Sequence, residues 1–122
     1  MDVSRKTVLY VDDEEVNLFI FERMFESHFN ILTAPCASDA LEKLSQYADR
    51  IDVVITDMRM PGLDGLQFVH LAREKFPEIS YYVLTAFSYN PEVEKAIENH
   101  IIRRAFTKPL DLLAITNELS AA

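Results

Sequence analysis

The sequence has 122 residues, of which 49% are hydrophobic, a length and composition that fit one globular domain and exclude a disordered chain. Its formal net charge of -8 makes direct binding of nucleic acid unfavourable, because phosphate backbones would be repelled. A single cysteine, Cys36, excludes an internal disulfide. The sequence has neither a signal-peptide run nor an apolar stretch long enough to span a membrane, so we expect a cytoplasmic protein.

Five β-rich runs alternate with five helical patterns along the chain. The runs predict strands at residues 7–11, 30–34, 51–56, 80–84 and 104–107. The first helix is predicted at about residues 15–28 and the last at about 111–119. The three helices between them begin at the N-cap candidates Ser38, Asp64 and Asn90, and Gln67 completes a capping box with Asp64.

This alternation predicts a single α/β domain over residues 1–122. Right-handed strand–helix–strand crossovers make the strands parallel and place helices on both faces of the sheet. The third run is almost continuously apolar, which is typical of a central strand covered on both faces.

Four of the five predicted strands end in a polar residue. Asp12 and Asp13 follow the first strand, Asp57 the third, Thr85 the fourth and Lys108 the fifth. Because ligands bind beyond the carboxyl ends of parallel strands, we expect these side chains to meet in one site. Three neighbouring carboxylates repel one another unless a cation is present, and Mg²⁺ suits a few carboxylates, water and a phosphate oxygen.

The residue types at these strand ends are chemically complementary. Asp57 can attack phosphorus in line, Lys108 brings a positive charge to the phosphoryl group, and Thr85 brings a hydroxyl that can hydrogen-bond a phosphoryl oxygen. Taken singly, Asp12 and Asp13 could cap a helix, Asp57 could be a turn residue and Lys108 could lie in a solvated loop. Thr85 alone indicates almost nothing. Their joint placement favours a phosphoacceptor site at Asp57.

The same residues also match a known family. The chain resembles the receiver domain of bacterial two-component response regulators over essentially its whole length, through Asp12-Asp13, residues 53–65, Thr85-Ala86 and Lys108-Pro109. The resemblance implies a flavodoxin-like fold, with a doubly wound five-stranded parallel sheet in the order 2-1-3-4-5. It also implies a signalling phosphoprotein rather than an enzyme, with Mg²⁺-dependent self-phosphorylation and self-dephosphorylation as its only activities.

For the site, the resemblance implies a phosphoryl transfer between proteins. Asp57 would take the group from a sensor histidine kinase or a histidine phosphotransfer protein. Asp13, Asp57 and the backbone carbonyl of Arg59 would ligate Mg²⁺, and Asp12 would act through water. These roles are expectations carried over from the family, residue by residue.

The resemblance further implies how the phosphorylated state is communicated. Thr85 would move toward the phosphoryl group, and Lys108, joined to Pro109 by a cis peptide bond, would pair with it. An unknown target would dock on the fourth helix, fifth strand and fifth helix, and a phosphorylation-linked homodimer stays open. The apolar first helix serves either the core alone or also an exposed patch that docks the phosphodonor.

One position departs from the family pattern. Three residues before the lysine the family usually has an aromatic residue whose rotamer follows phosphorylation, and here that residue is Ala105. Phe106 is adjacent, but strand alternation predicts that it faces the opposite side of the sheet. Phe87 and Tyr89 are candidates to replace the aromatic group. Bulky side chains at Arg59 and Phe87 also predict slow self-hydrolysis of the phosphoryl group.

Three other functions fit the sequence less well. A phosphorylation-independent interaction scaffold would be indicated by the loss of Asp13, Asp57 or Lys108, and all three are present. A hydrolase with an aspartate nucleophile, of the haloacid dehalogenase type, needs a carboxylate two residues later, where this chain has Arg59. A nucleotide-binding module needs a glycine-rich phosphate loop, which two glycines do not make.

Overall fold

The computed structural model describes residues 2, 4–86 and 90–121. Its elements alternate as β1 (Thr7–Val11), α1 (Glu15–Phe25), β2 (Asn30–Ala34), α2 (Ala37–Tyr47), β3 (Val53–Asp57), α3 (Gly65–Lys75), β4 (Ser80–Thr85), α4 (Pro91–Glu98), β5 (Arg104–Thr107) and α5 (Leu112–Ala121). Within these residues the strands form one sheet in the order β2-β1-β3-β4-β5, and every neighbouring pair is parallel. The predicted fold class and strand order are confirmed.

The sheet is buried on both faces because its strands alternate apolar side chains between two cores. In β3, Val54 belongs to the core under α2, α3 and α4, whereas Val53 and Ile55 belong to the core under α1 and α5. All five residues of β1 and of β3 are buried. This explains why the third run reads as continuously apolar in the sequence.

The two adjacent residues of β5 point to different cores, as strand alternation predicts. Phe106 lies in the core under α1 and α5, where its ring is 5.5 Å from that of Tyr82. Ala105 packs against the opposite core. Phe106 therefore cannot occupy the place of an aromatic side chain at Ala105.

Most helix starts follow the predicted capping residues. Asp64 and Gln67 form the complete capping box at α3, and the side chain of Asn90 accepts hydrogen bonds from the first turn of α4. Asp111 Oδ1 accepts a hydrogen bond from the backbone N–H of Ala114 at the start of α5. The end of α1 was predicted too late, since the helix stops at Phe25 and a turn leads into β2.

The prediction that Ser38 caps α2 was wrong. The helix begins one residue earlier, at Ala37, and the extended residue before it is Cys36. Ala37 and Ala40 are both buried in the core, so packing sets where this helix begins, and Ser38 falls in its first turn.

Among the described residues, no helix combines the length and apolar character needed to cross a lipid bilayer.

Candidate functional site

Polar residues at the carboxyl edge of the sheet surround one cleft of about 540 Å³. Asp13, Asp57, Arg59, Thr85 and Lys108 all line this cleft. Asp57 is the last residue of β3 and Thr85 the last residue of β4, while Lys108 directly follows β5. The convergence expected from the parallel strand order is therefore present, because these strands all end at the same edge.

Asp12, Asp13 and Asp57 form a compact acidic cluster. Each offers a carboxylate oxygen, and these three atoms all lie within 4.8 Å of one another. Asp12 is completely buried and Asp57 nearly so, whereas Asp13 is exposed. Carboxylate oxygens are the ligands that Mg²⁺ prefers, and the exposed Asp13 side leaves room for the water molecules that Mg²⁺ usually keeps. The donor set therefore fits this ion.

Lys108 provides the positive charge nearest to Asp57. Its Nζ lies 2.8 Å from Asp57 Oδ1, and its backbone N–H donates to the carbonyl oxygen of Thr85 over 2.8 Å. The peptide bond between Lys108 and Pro109 is cis, as expected. These contacts fix the side chain at the edge of the cleft, directly opposite the carboxylate that the sequence singled out.

The electrostatic environment provided by the protein groups opposes ionisation of Asp57. Burial raises the pKa of Asp57; the hydrogen bond from Lys108 works against this rise, and the charge of Asp12 adds to it. Burial lowers the pKa of Lys108, but its hydrogen bond to Asp57 and the attraction of nearby carboxylates outweigh that effect and raise it overall. Lys108 thus keeps its proton, while the carboxylates still carry more negative charge than it compensates.

Asp12 is held by a residue that the sequence did not single out. The phenol hydroxyl of Tyr10 donates to Asp12 Oδ2 over 2.7 Å, and the backbone N–H of Glu14 donates to Asp12 Oδ1 over 3.0 Å. Burial, followed by the hydrogen bond to Asp12, raises the pKa of Tyr10, so the phenol remains the donor. A signal was available: residues two apart on a strand share a face.

The backbone around Asp57 is packed against the start of α3. The N–H of Gly65 donates to the carbonyl oxygen of Met58 over 2.9 Å, and Met58 N–H donates to Leu84 of β4 over 3.1 Å. A Cβ atom at Gly65 would lie 2.5 Å from the carbonyl oxygen of Asp57. Only a glycine lets α3 begin this close to the phosphoacceptor candidate.

Gly65→Ala is expected to destabilise the domain by an amount at the upper end of about 1–3 kcal/mol, because the new methyl group would meet backbone atoms that cannot move independently. Urea denaturation monitored by circular dichroism measures the loss. Gly62→Asn is the control, since Gly62 has a φ of 84° with open space around it, and Asn tolerates that conformation. An equal loss in both variants would contradict this account.

The surroundings of Thr85 are described only in part. Thr85 is buried at the end of β4, and Thr85 and Ala105 line a common smaller cavity with Val93 and Ile97 of α4. The candidate replacements for the aromatic group, Phe87 and Tyr89, lie outside the described residues. The way in which phosphorylation would change the conformation around Thr85 and α4 therefore stays a prediction.

The first helix does carry an exposed apolar patch besides its core-facing side. Phe21 and Phe25 are completely buried, whereas Val16, Phe19 and Ile20 are 66%, 62% and 42% exposed. Three large apolar side chains within two turns of one helix form a surface of the kind that partner proteins contact. The helix therefore has both a core-facing side and an exposed apolar patch; docking of the phosphodonor on that patch stays a prediction.

Comparison with known proteins places these features in context. A sequence model of the response regulator receiver domain matches residues 8–120. The hydrogenase transcriptional regulatory protein HoxA of Cupriavidus necator is 30% identical over 109 residues, which are 89% of this chain and 22% of that protein. The chain spans less than half the length of the curated relatives it matches.

Solved structures agree with the sequence comparison. The signal receiver domain of an HD domain-containing protein from Pseudomonas fluorescens Pf-5 is 26% identical, with a TM-score of 0.86 over 97% of this chain and 94% of that one. A response regulator receiver domain protein from Clostridium thermocellum superposes with a TM-score of 0.88 over 95% and 92% of the two chains. At 24% identity, this second structure speaks for the fold alone.

Proposed function

The chain belongs to the response regulator receiver domain family, and from that premise we propose that Asp57 accepts a phosphoryl group in a Mg²⁺-dependent reaction. Receiver domains are signalling phosphoacceptors that bind Mg²⁺ at an acidic pocket. The observation that carries the proposal is the 2.8 Å contact between Lys108 Nζ and Asp57 Oδ1 beside the carboxylates of Asp12 and Asp13. The phosphodonor is a sensor histidine kinase or a histidine phosphotransfer protein.

The geometry favours Asp57 over the other two carboxylates as the nucleophile. Both oxygens of Asp12 already accept hydrogen bonds from protein groups, and this side chain is completely buried. Asp13 is exposed at the rim of the cleft. Of the three, Asp57 alone both lines the cleft and contacts Lys108, whose ammonium can then pair with the transferred phosphoryl group.

The reaction is an in-line substitution at phosphorus. A carboxylate oxygen of Asp57 forms the new O–P bond while the P–N bond to the donor's histidine breaks, and the electron pair of that bond stays on the imidazole nitrogen. Lys108 turns from the carboxylate to a phosphoryl oxygen and keeps its proton, so it stabilises the negative charge. The hydroxyl of Thr85 hydrogen-bonds another phosphoryl oxygen.

The acidic cluster requires a cation for this reaction. Asp13, Asp57 and the backbone carbonyl of Arg59 would hold Mg²⁺, with Asp12 acting through water. When bound, Mg²⁺ supplies positive charge that offsets both the carboxylates and the incoming phosphoryl oxygens. Without it, the repulsion among three carboxylates disfavours the approach of a further anion.

Signalling requires two protein surfaces. We assign docking of the phosphodonor, in the cytoplasm, to the patch of Val16, Phe19 and Ile20 on α1. The downstream target then docks on α4, β5 and α5, a surface that would also serve a phosphorylation-linked homodimer. Because Ala105 replaces the usual aromatic group, we assign the transmission to Thr85 and the neighbouring α4.

Intact-mass spectrometry tests the phosphoacceptor. After treatment with acetyl phosphate and Mg²⁺, the wild-type chain is expected to gain one phosphate-sized adduct, and EDTA is expected to prevent it. Asp57→Asn is expected to gain none. Asp64→Asn is the matched control, because Asp64 lines the same cleft and Asn keeps its helix cap; it is expected to react like wild type.

Two results would contradict the proposal. An equal adduct on Asp57→Asn would show that another residue accepts the phosphoryl group. Absence of an adduct on the wild-type chain, in the presence of Mg²⁺, would instead favour an interaction scaffold that works without phosphorylation.

A further inference from the structure

Tyr10 lies in the core directly beneath the acidic cluster. It stands two residues before Asp12 on β1, so both side chains leave the strand on the same face. Tyr10 is 1% exposed, and its ring stacks on Phe21 with ring centroids 4.1 Å apart and planes 8° from parallel. This packing aims the phenol hydroxyl at Asp12 Oδ2, 2.7 Å away.

The bond from Tyr10 fixes the plane of the Asp12 carboxylate. The backbone N–H of Glu14 holds Oδ1 at 3.0 Å and the phenol holds Oδ2, so the group is fixed at both oxygens. Each carboxylate oxygen has about two acceptor positions, so one on each oxygen stays available for a further donor. Since Asp12 is completely buried, bulk water cannot easily replace a lost donor, and without the phenol the carboxylate is held on one side only.

We infer that Tyr10 is a positioning residue for the proposed Mg²⁺ site, which acts by holding the carboxylate of Asp12 in its orientation beside Asp13 and Asp57. The inference rests on the proposed function. Tyr10 contacts neither the ion nor the phosphoryl group. Residues that hydrogen-bond a metal-binding side chain set its orientation, and their loss typically weakens metal binding by about 10–100-fold.

The alternative is that Tyr10 is only a core aromatic residue with a satisfied hydroxyl, and the chain contains a matched control for that alternative. Tyr82 is also completely buried, stacks on Phe106 and donates its hydroxyl to a carboxylate, that of Glu118, over 3.2 Å. Glu118 lies on α5, away from the acidic cluster. Tyr82→Phe therefore removes the same kind of bond from the same core without touching the proposed site.

The experiment measures Mg²⁺ affinity separately from reactivity. MgCl₂ is titrated calorimetrically into EDTA-treated, dialysed wild type, Tyr10→Phe and Tyr82→Phe, and adduct formation with acetyl phosphate is followed at saturating Mg²⁺. Tyr10→Phe is expected to raise the Mg²⁺ dissociation constant about ten-fold, with a saturated reaction rate close to that of wild type. Tyr82→Phe is expected to leave the dissociation constant within about two-fold of wild type.

The outcomes separate this inference from the proposed function. If wild type binds Mg²⁺ and forms the adduct but Tyr10→Phe binds Mg²⁺ equally well, the inference is overturned and the phosphoacceptor proposal stands. Equal weakening in both variants also overturns it, because a general effect on the core would explain the loss. A wild-type chain that binds no Mg²⁺ would overturn the inference and the metal requirement together. The phenylalanine ring preserves the stack on Phe21, and thermal unfolding in EDTA verifies that each variant is folded.

Discussion

Lys108→Ala is expected to slow the phosphorylation of Asp57 by about 10²–10³-fold at saturating Mg²⁺. This is the usual effect of removing one hydrogen-bond donor that stabilises the negative charge of the transition state. In the structure, Lys108 Nζ lies 2.8 Å from Oδ1 of Asp57, the carboxylate proposed to attack phosphorus. The flexible side chain of Lys108 can carry the same ammonium to a phosphoryl oxygen on that carboxylate. A time course of the phosphate-sized adduct by intact-mass spectrometry measures the rate.

Two further variants separate position from charge. Lys75→Ala removes an exposed lysine from the end of α3, far along the helix from the cleft, and is expected to react like wild type. Lys108→Arg keeps the charge but replaces a compact ammonium with a planar fork, so only part of the rate should return. A rate for Lys108→Ala equal to that of Lys75→Ala would mean that Lys108 only pairs with Asp57 in the resting protein.

Much of this site could be predicted from the sequence because it is built from strand ends. Parallel strands that alternate with helices end at one edge of the sheet. The polar residues at the ends of four strands are therefore expected to lie close together. The Asp64 and Gln67 capping box was equally local, because both partners lie within one helical turn. In each case the deciding contacts are close in sequence or follow from topology alone.

The helix cap that was predicted wrongly and the hydrogen bond that was not predicted both depend on packing between segments that are distant in sequence. Ser38 has the chemistry of a cap, yet buried Ala37 and Ala40 set the start of α2. The bond from Tyr10 to Asp12 depends on Phe21 of α1, whose ring fixes the direction of the phenol. Strand spacing places Tyr10 and Asp12 on one face, but the helix contacts that fix the start of α2 and the direction of the Tyr10 phenol lie far apart in sequence and appear only in the structure.

The acidic cluster should make the stability of the wild-type domain depend on Mg²⁺ more strongly than the stability of Asp57→Asn. In EDTA at neutral pH, Asp57→Asn is expected to unfold at a temperature a few degrees higher than wild type. The substitution removes a buried charge that repels Asp12 and Asp13, an effect on the order of 1 kcal/mol. For a domain of this length, about 1 kcal/mol corresponds to about 4 °C.

The pH dependence of this difference has a definite sign. Because burial raises the pKa of Asp57 in the folded chain, ionised Asp57 destabilises the fold at neutral pH, and the loss is recovered as the pH falls through the folded-state pKa toward the usual value of 3.8. The advantage of Asp57→Asn in EDTA should therefore shrink as the solution is acidified. Asp49→Asn, at an exposed position outside the cleft, is the control and is expected to show no such advantage.

Adding Mg²⁺ should reverse the order of the two proteins. An ion present at about 100 times its dissociation constant stabilises the folded chain by about 2.7 kcal/mol, so the wild-type unfolding temperature is expected to rise by about 10 °C. Asp57→Asn lacks one proposed ligand and should gain much less. Thermal unfolding with EDTA and with Mg²⁺ measures both effects. If Mg²⁺ stabilised the two proteins equally, Asp57 would not be a ligand of the ion, whatever its role as phosphoacceptor.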